Sequence, residues 1–494
     1  MSELKDFQIA NGVLRSYLGK DENVVVPEGI IGIGPNAFSC RKSLKSITLP
    51  DKIKFIDNMA FEGCHSLENI IIPDSVTFIG CSAFSCCSSL TSIEIPNSVT
   101  FIDNSAFSGC GSLTSITIPN SSICIGRNVF ENTFYYNDES NWEDGVLYIG
   151  NHLINAEESL SGAYCIREKT KTISIGAFAS CKSLTSIVIP DGVTSIGDGA
   201  FYNCASLKEI VIPNSVTAIG DSAFSGCASL ESITLPDKLE YIGVRAFEFC
   251  RSLKDIVIPE GVTSIVDFAF KSCSSLESIT LPEKLESIGE SAFDGCYSLK
   301  DVVIPEGVTS IGDSAFSMCS SITSITIPDS VKLIGGHAFS MCSSLEAITI
   351  PDEIEFIGIR PFSNCIKLAD KRSFIIINGV LYDLCKTREN IKIPKGVTKI
   401  GEYAFGKQQP ATSVEIPEGV ISICGHAFFG CAPLKTITIP KSVKNIEEKA
   451  VGYFSANNSF GYKKSKVLEI HGYKDSAAET YAKENSFKFI NLEK

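Results

Sequence analysis

The chain has 494 residues, with 43 lysines and arginines against 57 aspartates and glutamates, and a formal net charge of −14. That balance argues against a nucleic-acid backbone or an anionic membrane as partner. No uninterrupted apolar run reaches the ~18 residues of a spanning helix, so no membrane insertion is expected.

Residues 1–34 read as an N-terminal cap. Phe7-Gln8-Ile9 and Gly12-Val13-Leu14 are short apolar pieces, and Val24-Val25-Val26-Pro27 is already the tail of a repeat. The start lacks a cationic stretch leading into an apolar core, so no signal peptide is expected, which reads as cytoplasmic. A count of 23 then takes over: phenylalanine stands at 38, 61, 84, 107 and 130, from 178 to 362 in the same step, and at 405 and 428. A fixed period in this range means a solenoid, because one such unit cannot bury its apolar side alone.

The unit is clearest from Phe201 to Phe224. Leu207-x-x-Ile210-x-Ile212 follows the L-x-x-L-x-L rule of leucine-rich repeats. Ile210 and Ile212 alternate with Glu209 and Val211, so one set points into the coil and the other out. Pro213 ends the strand, since it cannot donate to a ladder. Val216-x-x-Ile219-Gly220 is a second extended piece, and a tight turn carries Ala223-Phe224. The fold expected is a repeat solenoid: a leucine-rich repeat superhelix, mainly β with short turns and 3-10 segments, its strands parallel and stacked.

The pattern divides the chain into repeats at 35–130, a variant insertion at 131–177, repeats at 178–368, a second variant insertion at 369–404, repeats at 405–450 and a C-terminal cap at 451–494. Asp144-Gly145-Val146-Leu147 and Asn378-Gly379-Val380-Leu381 echo Asn11-Gly12-Val13-Leu14, and each reads as a hairpin with Gly at its turn. In the tail, Asp475-Ser476 caps a helix with Glu479 and Lys483 paired at i,i+4, and Phe487–Ile490 alternates like a strand.

The repeat AFSGCASLESITLP followed by VTSIG resembles the BspA-like class of bacterial leucine-rich repeats over most of the chain. That resemblance implies a binding role, since such proteins are typically displayed or secreted and implicated in adhesion at the cell surface. It supplies no catalytic residues.

Chemistry-bearing motifs are missing. There is no H-E-x-x-H, no G-x-S-x-G and no P-loop, so no enzyme, cofactor or metal is expected. Thirteen of the twenty cysteines, at 64, 87, 110, 181, 204, 227, 250, 273, 296, 319, 342, 365 and 431, share one repeat position and read as buried, reduced thiols rather than a redox or metal spine. Cys81, Cys86 and Cys87 lack zinc-type spacing. The five histidines read as surface or turn residues.

One pattern is a candidate partner-binding face. Lys208, Glu231, Lys254, Glu277 and Lys300 alternate in charge seven residues after successive phenylalanines. Beside them run Ser186, Glu209, Ser232, Asp255, Ser278 and Asp301. A solvated face that avoids stacking like charges would produce the same alternation. The expected function is non-catalytic recognition of a protein or glycan partner by a monomer through this strand face, with an intracellular interaction scaffold as the alternative.

Overall fold

Each unit offers two apolar pairs on short extended stretches, and they become buried stripes only when the next unit stacks on them. In the computed structural model, which describes residues 4–121, 123–351, 353–406, 411–455 and 461–493, the chain winds as a β-solenoid of about 20 turns. Its contacts divide it into two compact units, Met1–Val262 and Thr263–Lys494.

In the first unit, Glu209–Val211 pairs in parallel with Ser183–Val188 on one side and Ser232–Thr234 on the other, so that Ile187, Ile210 and Ile233 align. Ile210 is 2% exposed and Val211 is 64% exposed, as the alternation requires. Ala218–Ile219 forms a second strand, paired with Ser195–Ile196 and Tyr241–Ile242. The second unit repeats the plan, with Ser310–Ile311 between Ser287–Ile288 and Leu333–Ile334.

A third stretch joins neighbouring coils without being a strand. Around Phe224, the N–H groups of Ser222, Phe224 and Gly226 donate to the carbonyls of Val244, Ala246 and Glu248 in the next coil, each at 2.8 Å. The alternation needs left-handed backbone at Ser222 (φ 55) and Gly226 (φ 78), two residues either side of Phe224. A left-handed non-glycine residue costs roughly 1–2 kcal/mol, and the inter-coil hydrogen bonds hold it there. The phenylalanines stack inside this ladder, Phe201 on Phe224 at 5.3 Å and Phe293 on Phe316 at 5.2 Å between ring centroids.

The glycine after the second strand, as at Gly220 and Gly312, has a different cause from the one its place beside a turn suggests. Gly220 and Gly312 are not left-handed; a Cβ at Gly220 would stand 2.6 Å from the backbone nitrogen of Asp198, and one at Gly312 would stand 2.6 Å from that of Glu290. Close approach of successive coils, rather than turn geometry, excludes a side chain there.

The cysteine column is buried, and its thiols have partners. Cys227 Sγ donates to the Phe201 carbonyl oxygen at 3.2 Å, and Cys319 Sγ does the same to Phe293. A small side chain with a weak donor suits this corner, because each phenylalanine carbonyl has a second lone pair to fill. Burial pushes the Cys64 thiol up to about 12. Cys40, Cys86, Cys124 and Cys165 are exposed. The native chain is therefore expected to alkylate rapidly at these, with Cys124 slowest because burial raises its thiol to about 11. In denaturant most of the twenty should react; intact mass counts the adducts, and fast loss of all twenty natively would break the assignment.

The variant segments are hairpins. Phe7–Ala10 pairs antiparallel with Val13–Tyr17, and Phe374–Ile377 with Val380–Leu384, across Asn-Gly turns in which both residues are left-handed. Trp142–Glu143, Val146–Ile149 and His152–Ala156 form a meander within 131–177. Trp142 Nε1 donates to the Tyr136 carbonyl, Tyr135 Oη to that of Tyr148, and the Arg167 guanidinium lies 4.0 Å from the Tyr148 ring centroid. The aromatic groups here are satisfied by one another and by backbone, so the interruption is packed rather than left as a linker.

One histidine departs from the surface-or-turn expectation. His337 and His426 do sit at left-handed turn positions. His152, however, is fully buried on the strand His152–Ala156, where Thr172 and Pro119 hold both ring nitrogens. At the C-terminal end Ser476 caps the helix Ala477–Glu484, with Lys483 and Glu479 2.9 Å apart, and Lys488–Asn491 pairs in parallel with Glu469–Gly472.

Candidate functional site

The strand Leu-x-x-Ile-x-Ile buries its isoleucines and so presents the residues before and after the first of them. In the first unit Ser186, Glu209 and Ser232 are in register on adjacent strands, and Asp255 occupies the next strand. Ser186 is half-buried; Lys208, Glu209, Glu231, Ser232, Lys254 and Asp255 are exposed. In the second unit Glu277, Ser278, Lys300 and Asp301 are exposed, with Ser278 bridged to Asp301.

The charge ladder and the acid column behave differently. Lys254 Nζ lies 3.6 Å from Glu231, and Lys300 Nζ lies 2.7 Å from Glu277. Similar pairs recur far from these coils, as with Lys45 and Glu22 at 2.6 Å. Lys254 and Lys300 are thus neutralised along the coil, whereas Lys208 has no ion-pair partner among the described residues. Glu209, Asp255 and Asp301 have no ion-pair partner among the described residues, so their charge is available to something else.

A second outward column, read as outward at Val211 from the strand alternation, was not included in the candidate face. Two residues beyond the acids stand Val211 and Val257 in the first unit, both 64% exposed, and Val303 in the second at 81%; Val188, 60% exposed, stands two residues beyond Ser186. Coils with an acid carry valine (Glu209 with Val211, Asp255 with Val257, Asp301 with Val303), and the coils between carry serine with threonine (Ser232 with Thr234, Ser278 with Thr280). The signal was present in the alternation of LKEIVIP with LESITLP.

The opposite corner is occupied by structure. Asp198 Oδ1 accepts the Asp221 N–H, and Asp221 Oδ1 accepts the Val244 N–H, both at 2.8 Å. Asp267 and Asp313 do the same for Glu290 and Gly336 in the second unit. Partial burial raises the Asp198 pKa despite the hydrogen bond it accepts. These carboxylates stitch coil to coil, so their uniformity follows from the fold.

The BspA type leucine-rich repeat region, described by six copies of the unit, matches residues 16–161, 171–277, 263–373 and 375–491. The chain belongs to the BspA-type leucine-rich repeat family. Among solved structures it is similar to a leucine-rich repeat protein of Bacteroides ovatus, at 29% identity over 66% of this chain and 78% of that one, with a TM-score of 0.33. It is also similar to one from Eubacterium ventriosum, at 22% identity over 64% and 83%, TM-score 0.35. A leucine rich cell surface protein of Faecalibacterium prausnitzii aligns at 24% identity over 92% and 93%, TM-score 0.25. No curated protein matches the chain by sequence. Among the described residues of this BspA-type array, no group of three or more His, Cys, Asp or Glu side chains is placed to hold a metal, and no helix is long and apolar enough to cross a membrane.

Proposed function

We propose that the chain is a non-catalytic, adhesion-type binding protein that takes a polypeptide partner on its outward strand face. The observation that carries this reading is the pairing of an uncompensated acid with an exposed valine on alternate coils: Glu209 with Val211, Asp255 with Val257, and Asp301 with Val303. Exposed β-branched residues flanked by acids suit a protein surface bearing aliphatic and basic side chains. Neither outward column carries Phe, Tyr or Trp. Sugar faces are commonly held by aromatic stacking, so the composition favours polypeptide over glycan. Variation from coil to coil also gives a partner a unique address, which a uniform surface cannot.

The test uses a partner captured from host-cell extract on the immobilised chain. Glu209→Lys with Asp255→Lys should weaken that partner at least about tenfold and flatten its salt dependence. The off-face pair Asp237→Lys with Glu260→Lys should leave the affinity unchanged. A folded Glu209/Asp255 double variant that binds as the parent does would put the partner elsewhere. Asp198 and Asp221 are unsuitable controls, since their loss breaks coil-to-coil hydrogen bonds.

A further inference from the structure

Near its C-terminal end the acidic chain carries a groove lined by lysines. The strands Tyr453–Ser455 and Tyr462–Lys464 pair antiparallel, with Phe454 opposite Lys463 and Tyr453 opposite Lys464. The segment that follows, Ser465-Lys466-Val467, lines a groove of about 940 Å³ together with Phe454, Phe487 and Lys488. Val467 is 60% exposed, and Phe487 closes the floor.

The lysines here are not neutralised as they are on the strand face. Glu469 already holds Lys488 at 2.6 Å with one carboxylate oxygen and His471 at 3.4 Å with the other. Glu479 is held by Lys483. Lys464 Nζ instead lies 4.9 Å from the centroid of the Phe487 ring, and no carboxylate among the described residues pairs with Lys463, Lys464 or Lys466. Lys463, Lys464 and Lys466 all line the groove, so an anion there meets positive charge that no carboxylate offsets. An anion alone would leave Val467 and the exposed part of Phe454 wet; an apolar body attached to it would cover them at roughly 25 cal/mol per Å².

We propose that this groove binds a free amphiphilic anion, with a carboxylate, sulfonate or phosphate head on Lys463, Lys464 and Lys466 and an aliphatic or aromatic body against Phe454, Val467 and Phe487. The site is separate from the strand face and stands or falls independently of it. The probe is 8-anilinonaphthalene-1-sulfonate, titrated against the full chain by fluorescence. Saturable binding is expected, displaced by dodecanoate and not by inorganic phosphate at about a hundredfold higher concentration. Lys464→Glu with Lys466→Glu should weaken the probe at least about tenfold. Val467→Asp, a change at an exposed position that the fold tolerates, should do likewise. Val211→Ser with Val257→Ser should leave the probe untouched. Equal binding by the parent and both groove variants overturns the proposal, as does displacement by phosphate as effective as that by dodecanoate. Sedimentation with phosphatidylglycerol vesicles without displacement by dodecanoate would make the ligand a membrane surface, and overturns it too.

Discussion

Ile256→Asp should lower the stability of the chain by about 3–5 kcal/mol, whereas Val257→Asp, one residue on, should be nearly silent. Ile256 is 3% exposed and its side chain belongs to the buried isoleucine stripe; Val257 is 64% exposed on the same strand, Asp255–Val257. A carboxylate at Ile256 must ionise in an apolar layer or stay protonated against its solution pKa, and either choice destabilises the fold. At Val257 it remains in water. In a stacked array the damage spreads to neighbouring coils, because each coil is stable only through its interfaces. Thermal melts of the two variants measure the contrast directly. Equal losses would overturn the inside-outside assignment of every strand in the array.

The register of these strands was legible because period 2 within the strand and period 23 along the chain agree. Ile210 and Ile212 cannot be buried in the other phase of the strand without both being exposed. The hairpins were legible for a similar reason: Asn11-Gly12 and Asn378-Gly379 adopt the left-handed pair that their turn demands. The ladder around the phenylalanines was not. Its left-handed positions are filled by Ser222, Arg245, Phe249 and Met318 as readily as by glycine, so no residue type marks it. That ladder is set by coil-to-coil hydrogen bonds, which exist only after stacking.

The candidate face was legible in part. Charge alternation drew attention to Lys254 and Glu231, which the fold pairs with each other, while the unpaired Glu209 and Asp255 stood one column away. The missing information was distance, and an in-register pair looks the same in sequence whether its charges are spent on each other or free. The aspartate corner shows the converse. Asp198 and Asp221 each accept a backbone N–H from the following coil, a use that nothing in their spacing marks.

His152→Leu should cost about 2–4 kcal/mol, the desolvation penalty of two hydrogen-bonding groups left without partners. His152 Nε2 lies 2.7 Å from the Pro119 carbonyl oxygen, and Nδ1 lies 2.8 Å from Thr172 Oγ1. Pro119 O can only accept, so Nε2 carries the proton and Nδ1 accepts from the threonine hydroxyl in the neutral ring. The ring thus ties two strands of the interruption, His152–Ala156 and Thr172–Ile173, to Pro119 in the coil before it, within the first unit. Burial lowers the His152 pKa, outweighing the hydrogen bond to Pro119, so the folded state favours the neutral ring. The unfolded chain takes up a proton near pH 6.5. The stabilisation is therefore whole above that pH and declines as pH falls below it toward the folded value, by up to about 1.4 kcal/mol per pH unit. Melts of the parent between pH 7.5 and 5 should fall more steeply than those of His152→Leu. His152→Gln, which keeps a donor for Pro119 O without titrating, should recover part of the stability at pH 7.5 and none of the pH slope. A parent and a His152→Leu variant with the same slope would show that the proton goes elsewhere.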